Sequence, residues 1–494
     1  MRALTTAAAL LACGAAAAEP VTVTVDPARV LVPRWEGFGS SLSWWAVYIG
    51  GWPEPARREA VRLLFSRDPD ALGWNIARYN AGGTSPETDP ARFRPGGRVL
   101  VTLDRDGTWL PERDRSQIET LRLARRFGAD RFELFVNSPP YWMLRNGDTR
   151  GGPGGGENLV PERAEEYADW LAEIIPRVER EAGVRFTSVA PFNEPSADWW
   201  NPATSSQEGS RIDPPLQARV LSALRRSLDR ARLRTLIAAS DEHNPHTALR
   251  TLEWLTSKEG GNLDARTLQR LNVHTYWGWE WQDRLREAAA ARGVPAIWMS
   301  EVTHREWAPP GYVPRDMRSA LPITRGIVND VKRLRPTAWV YWQPIEPLEW
   351  QLRFTYTYGL MQAAVDRPVE WEGRAWQPGE LVKAKGFYAM MQFSRFIRPG
   401  DRILETDDFW SLAALDRRGR RLTVVVHNDT SDAKAYAFDV SRLGRRARAV
   451  KRWRTQDDTG GVRWDCREMP PLTTRDGRFE DTVPPRSVTT YVLD

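Results

Sequence analysis

Ala190-Pro191-Phe192-Asn193-Glu194-Pro195 closes one short apolar run, and Ala296-Ile297-Trp298-Met299-Ser300-Glu301 closes another three strand-like runs later. Each puts a carboxylate where an apolar segment stops. In a barrel of parallel strands the C-terminal strand ends form the open mouth, so an acid there is better placed for chemistry than one on a helix face. Outward from these two runs, from about residue 35 to residue 345, strand-like segments alternate with segments of helical period. The others end at Phe38-Gly39-Ser40, Ile76-Ala77-Arg78, Leu134-Phe135-Val136, Ala238-Ala239-Ser240, Asn272-Val273-His274 and Val340-Tyr341-Trp342. With the two acidic ones they make eight, which predicts an α/β fold closed as a (β/α)8 TIM barrel. Between them Ile118, Leu121, Ala124 and Phe127 share one helical face, and Tyr167, Trp170, Leu171, Ile174 and Ile175 share another, as outer-ring helices require.

The pattern changes after Lys383-Ala384-Lys385-Gly386-Phe387-Tyr388. Leu422-Thr423-Val424-Val425-Val426 and Ser487-Val488-Thr489-Thr490-Tyr491-Val492-Leu493 are β-branched runs with no helix between them, which predicts a C-terminal β-sandwich. Val21-Thr22-Val23-Thr24-Val25 alternates in the same way ahead of the barrel and is expected to pair with that sandwich. The first residues combine Arg2, a short apolar core and an alanine run before Glu19, the pattern of an export signal cleaved near Ala18. The expected organisation is therefore a signal peptide over 1–18, a sandwich strand over 19–33, the catalytic barrel over 34–385 and the β-sandwich over 386–494. Export makes the protein secreted or periplasmic. Leu10-Leu11-Ala12-Cys13-Gly14 faintly resembles a lipoprotein box, so anchoring through Cys13 ranks second.

A chain of 494 residues suits one large barrel with a companion domain. No apolar run after the N-terminus reaches bilayer-spanning length. The formal charge of +6 is spread without a long basic block, which argues against nucleic acid as a partner. Of two cysteines only Cys466 would remain after signal removal, so packing rather than disulfides must stabilise a chain expected to be monomeric. Five histidines form no His-x-x-x-His or Cys-His ligand set, so no metal is expected. The Gly151-Gly152-Pro153-Gly154-Gly155-Gly156 stretch lacks a phosphate-binding pattern and reads as a loop at the barrel mouth; no cofactor is implied. Twenty-four tryptophans stand out, because indole faces stack on the apolar faces of sugars.

Two carboxylates in different environments can cleave an acetal: one protonates the leaving oxygen, and the other supplies negative charge at the anomeric carbon. Either Glu alone would more often be an ion-paired surface residue; together, at strand ends, Glu194 and Glu301 become acid/base and nucleophile candidates. Trp35-Glu36-Gly37-Phe38-Gly39, Asn193-Glu194-Pro195, Ser300-Glu301 and the exit segment Gly386-Phe387-Tyr388 together resemble glycoside hydrolase family 30 over nearly the whole mature chain. Ser41-Leu42-Ser43-Trp44-Trp45-Ala46, Ala77-Arg78-Tyr79-Asn80-Ala81-Gly82-Gly83 and Asn137-Ser138-Pro139-Pro140-Tyr141-Trp142-Met143 look like that family's endo-β-1,6-galactanase branch. The resemblance implies a retaining enzyme with Glu194 as acid/base and Glu301 as nucleophile, acting on β-1,6-galactan side chains of arabinogalactan. It implies Arg78 beside the nucleophile, lowering its pKa, Asn193 on the sugar 2-hydroxyl, and one or both of His274 and Tyr276 within reach of the nucleophile and substrate. Trp142 and Trp342 are the candidate stacking platforms, with Trp45 and Trp277 further out; Tyr141 competes with Trp142 for its position.

A related β-1,6-glucanase or exo-acting β-glycosidase would keep the same carboxylates with different rim loops. A carbohydrate-binding barrel without activity should have lost one of them. A serine hydrolase is excluded by the lack of Gly-x-Ser-x-Gly.

Overall fold

Strands covered by helices outside and by a filled interior inside have no solvent face, and the barrel runs are accordingly apolar or internally paired. The computed structural model describes residues 19–303, 306–307, 315–354, 356–357, 359–371, 373–444 and 449–494. The expected signal segment 1–18, with Cys13, lies outside them. Eight parallel strands close into a barrel: Gly37–Ser41, Ile76–Asn80, Arg131–Phe135, Phe186–Ala190, Leu236–Glu242, Arg270–His274, Ile297–Glu301 and Ala338–Tyr341. The eighth closes onto the first with Ala338 opposite Gly37 and onto the seventh with Ala338 opposite Trp298. They are called the first to eighth barrel strands below.

The ring helices form where the apolar period predicts. Arg115–Phe127 buries Ile118, Leu121 and Ala124, and Ala164–Ala182 buries Tyr167, Trp170, Leu171, Ile174 and Ile175. The latter ends at Gly183, whose φ of 67° supplies the left-handed turn a side chain would resist. These faces and the outer strand faces form one apolar core around the barrel.

The second core lies in a nine-stranded sheet that folds over itself as a sandwich. Its N-terminal strand, Val21–Val32, runs antiparallel to Arg402–Thr406 and parallel to Lys434–Asp439, so it joins the two halves of the sheet as expected. Phe438 stacks on Phe479 at 4.4 Å, and both rings meet Tyr491 from the other half. The expected boundary at residue 386 falls inside the helix Lys385–Ser394, which lies between the two units and packs both on the ring helix Leu321–Arg333 and on the sandwich strands Ala449–Thr455 and Ser487–Leu493. The first C-terminal sandwich strand starts at Arg402.

Among the described residues no helix is long and apolar enough to cross a membrane.

Candidate active site

The fourth strand stops at Ala190, and the chain turns through Pro191 to Glu194, which adopts a φ of 47°. That left-handed backbone is held in place: Glu194 N donates to the Asp241 carbonyl at 2.8 Å, while Trp200 Nε1 donates back to the Glu194 carbonyl at 3.0 Å. The glycine-rich loop supports the same turn from below. A Cβ on Gly151 would lie 2.0 Å from the Trp200 carbonyl oxygen, and one on Gly155 would lie 2.1 Å from that of Asp198. Glycine is what allows the two backbones to meet there.

Glu301 is the last residue of the seventh strand and points into the mouth beside Glu194. Its Oε1 accepts from the Tyr276 hydroxyl at 3.1 Å, and its buried Oε2 has no hydrogen-bond partner among the described residues. A carboxylate oxygen of Glu194 lies within 4.8 Å of one of Glu301. His274, ending the sixth strand, sits between them, with Nδ1 3.1 Å from Glu194 Oε1 and 3.7 Å from Glu301 Oε1. Its other nitrogen faces Asp241 Oδ1 at 3.4 Å.

Below this layer the barrel interior is a charged network. Arg78, fully buried, donates from Nε to Glu133 at 2.7 Å and from Nη1 to the Ser300 carbonyl at 2.9 Å; Nη2 lies 3.1 Å from Asp241. Arg270, Ser188 and Asn272 also bond Glu133, and Asn272 and Ser300 reach Asp241. Arg78 stands beside Glu301 at 3.7 Å, and its charge draws the Glu301 pKa down, but other influences outweigh it. Burial, reinforced by the charge of Glu194, pushes Glu301 up to about 7 against the pull of His274 and Arg78. Burial also opposes charge on His274, yet Glu301, Asp241 and Glu194 outweigh it and hold its pKa at about 10. Asp241 stays below the ordinary carboxylate range although burial works against it, because Arg78 and His274 face it. The pair Glu194 and Glu301 therefore retains a proton near neutrality beside an imidazolium. Glu194, His274 and Glu301 are close enough to one another to reach a single ion.

The cleft above the pair has a volume of about 820 Å³. Trp342 lines it as expected, its ring edge-on to Trp44 at 5.1 Å and near Phe135 at 6.3 Å. Asn193 lines it with a buried Oδ1 that has no partner among the described residues, and Tyr276 lines it beside Glu301. Trp277 and Trp199, half exposed, form an aromatic rim on the Glu194 side with His243 between them. Two expected platforms are elsewhere. Trp45 is fully buried, its Nε1 donating to the Ser41 carbonyl at 2.7 Å; its neighbour Trp44 takes the cleft position, with the Arg94 guanidinium 3.9 Å from its ring. Trp142 sits in a short turn, Tyr141–Met143, outside the cleft lining, and donates to Glu166 at 3.1 Å; the adjacent Tyr141 is outside the lining too.

Comparison with known proteins decides the family. The chain is 31% identical over 467 residues to an endo-β-1,6-galactanase from Hypocrea rufa, covering 89% of this chain and 88% of that one. The family model for O-glycosyl hydrolase family 30 matches residues 21–251. The chain belongs to glycoside hydrolase family 30. An exo-β-1,6-galactobiohydrolase from Bifidobacterium longum subsp. longum is 22% identical over 554 residues, covering 87% of this chain and 36% of that longer one. A conserved exported protein from Bacteroides fragilis superposes with a TM-score of 0.79 at 21% identity, over 95% of this chain and all of that one. The family 30 barrel and its strand-rich side domain are thus shared with solved structures, and the chain is a glycoside hydrolase.

The two tryptophans separate by experiment. Trp342→Ala is expected to lower kcat/KM of the folded fraction by about tenfold, the loss of roughly 1.5 kcal/mol of stacking, besides the stability lost where its ring packs on Trp44 and Phe135. Trp45→Ala should instead cost about 3–5 kcal/mol of stability and leave kcat/KM of the folded fraction near that of the parent. Chemical denaturation alongside kinetics distinguishes them; a Trp45 variant of full stability and poor KM would return that residue to the cleft.

Proposed function

We propose that this family 30 hydrolase is a retaining endo-β-1,6-galactanase acting on the β-1,6-galactan side chains of arabinogalactan. The substrate reading rests on the Hypocrea rufa relative, named an endo-β-1,6-galactanase. The mechanism rests on the approach of the two carboxylates within 4.8 Å. Retaining pairs stand about 5–5.5 Å apart, whereas inverting pairs leave about 6.5–9.5 Å for a water molecule. Glu301 attacks the anomeric carbon through the unpartnered Oε2, while Glu194 protonates the departing oxygen; a water deprotonated by Glu194 then releases the sugar. Tyr276, Arg78 and His274 all favour the anionic form of Glu301, the form that attacks. Asn193 offers its free Oδ1 to the sugar 2-hydroxyl.

The test is product analysis on β-1,6-galactan, β-1,6-glucan, β-1,4-xylan and a glucosylceramide, with NMR of the first-formed anomer. Galacto-oligosaccharides of several lengths with retained β-configuration support the proposal. Galactobiose alone would make the enzyme exo-acting, an α-anomer would make it inverting, and turnover only of another substrate would move it within the family.

The pH profile follows from the shared proton. Activity needs one proton on the pair, so kcat/KM should fall on the alkaline side with an apparent pKa of about 7. His274→Gln removes a cation that lowers the Glu301 pKa, so the alkaline limb should move up by about one pH unit, even as the maximum rate drops. A limb that stays in place or moves down would show that His274 does not set the proton affinity of the pair.

A further inference from the structure

A large cavity lies at the other end of the barrel. It has a volume of about 1260 Å³ and is lined by nine arginines against four aspartates. Trp35 precedes the first barrel strand, Asp130 and Arg131 begin the third, and Arg398 and Arg402 lead into the sandwich, so the cavity sits at the N-terminal strand ends where barrel and sandwich meet. Glu194 and Glu301 are at the opposite, C-terminal ends.

Most of this positive charge is uncompensated. Arg131 pairs with Glu36 at 2.9 Å and Arg421 with Asp401 at 3.2 Å. Arg34, Arg67, Arg402, Arg417 and Arg418 have no ion pair among the described residues. Arg398 is pushed down to about 10 by burial and by the guanidiniums of Arg67 and Arg421. Two donors in the lining are also unmet: among the described residues the indole Nε1 of Trp35, 1% exposed, and Nε of Arg421 are buried without a partner. Crowded guanidiniums with spare donors are what an oxyanion satisfies, arginine and carboxylate matching as a two-pronged pair.

We infer that this cavity is a second carbohydrate site, distinct from the cleft, which holds a glycan through its uronate carboxylates. The aspartates decide between polyanions. Asp68, Asp130 and Asp416 stand among the arginines, where they would repel a continuous phosphate backbone. A sugar chain carrying a carboxylate at intervals presents hydroxyl donors between its charges, and those suit carboxylate acceptors. The site goes beyond the proposed cleft specificity and is independent of which linkage the cleft cuts.

Calorimetry with an oligogalacturonate, which has no β-1,6-galactan for the cleft, tests this directly. The wild type is compared with Arg67→Glu/Arg417→Glu/Arg418→Glu in the lining. A control of equal charge change, Arg115→Glu/Arg219→Glu/Arg250→Glu, lies on exposed residues elsewhere. Binding to the wild type and the control, weakened by about tenfold in the lining variant, is expected, with hydrolysis of a neutral galacto-oligosaccharide unchanged in all three. No binding, equal weakening in the control, or tighter binding of a single-stranded oligodeoxynucleotide would each overturn it.

Discussion

Glu301→Gln is expected to hydrolyse its galactan substrate at least about 10⁴-fold more slowly than the parent, and Glu194→Gln about 10²–10⁴-fold more slowly. The difference in kind matters more than the difference in size. Glutamine at 301 keeps the Tyr276 contact and the shape of the seventh strand end but cannot form the glycosyl ester, so no leaving group rescues it. Glutamine at 194 removes only proton transfer. An aryl galactoside whose phenolate leaves unaided should still load Glu301 in that variant, and the slow step becomes release by water. Azide, which needs no general base, should then accelerate turnover of Glu194→Gln and give a β-galactosyl azide. The same anion should do nothing useful for Glu301→Gln. Azide rescue of the 301 variant with a β-azide product, and none of the 194 variant, would exchange the two assignments.

That both acids lie at the barrel mouth could be read from the sequence because a barrel strand ends where its apolar run ends, whereas their separate roles were implied only by the family resemblance. The ring helices were equally legible, since Tyr167, Trp170, Leu171, Ile174 and Ile175 repeat with helical period and are buried together. Adjacent indoles were not. Trp44 and Trp45 differ by one position at a strand-to-helix junction, and the short helix Trp45–Ile49 turns the second inward onto the Ser41 carbonyl. Nothing local in the sequence says which indole faces the cleft. Trp142 was misplaced because a partner on a helix, Glu166, fixes its Nε1. Asp241 was overlooked altogether, although a signal existed. Arg270, Asn272 and His274 alternate with Leu271 and Val273, so one face of a strand meant for a buried barrel is polar throughout. A polar interior face with two potential cations demands buried acids, which the fold supplies as Glu133 and Asp241.

Arg78→Met is expected to cost about 3–5 kcal/mol of folding stability, the usual penalty for removing one partner from a buried charge cluster. Arg78, Glu133 and Asp241 are all fully buried, so no water replaces the missing guanidinium. Glu133 would keep Arg270, but Asp241 would retain only His274 as a cation, and that imidazolium already serves Glu194 and Glu301. Arg78→Lys should recover part of the loss: it restores the charge, yet a single ammonium cannot span Glu133, Asp241 and the Ser300 carbonyl at once. Because Ser300 precedes the nucleophile, its freed carbonyl should also let Glu301 drift, so kcat should fall further than KM rises in the lysine variant. Denaturant unfolding gives the first quantity and steady-state kinetics the second. A methionine variant as stable as the parent would mean that Glu133 and Asp241 are held as neutral acids in the folded protein, and the charged interior described for this barrel would then have to be replaced by a chain of shared protons.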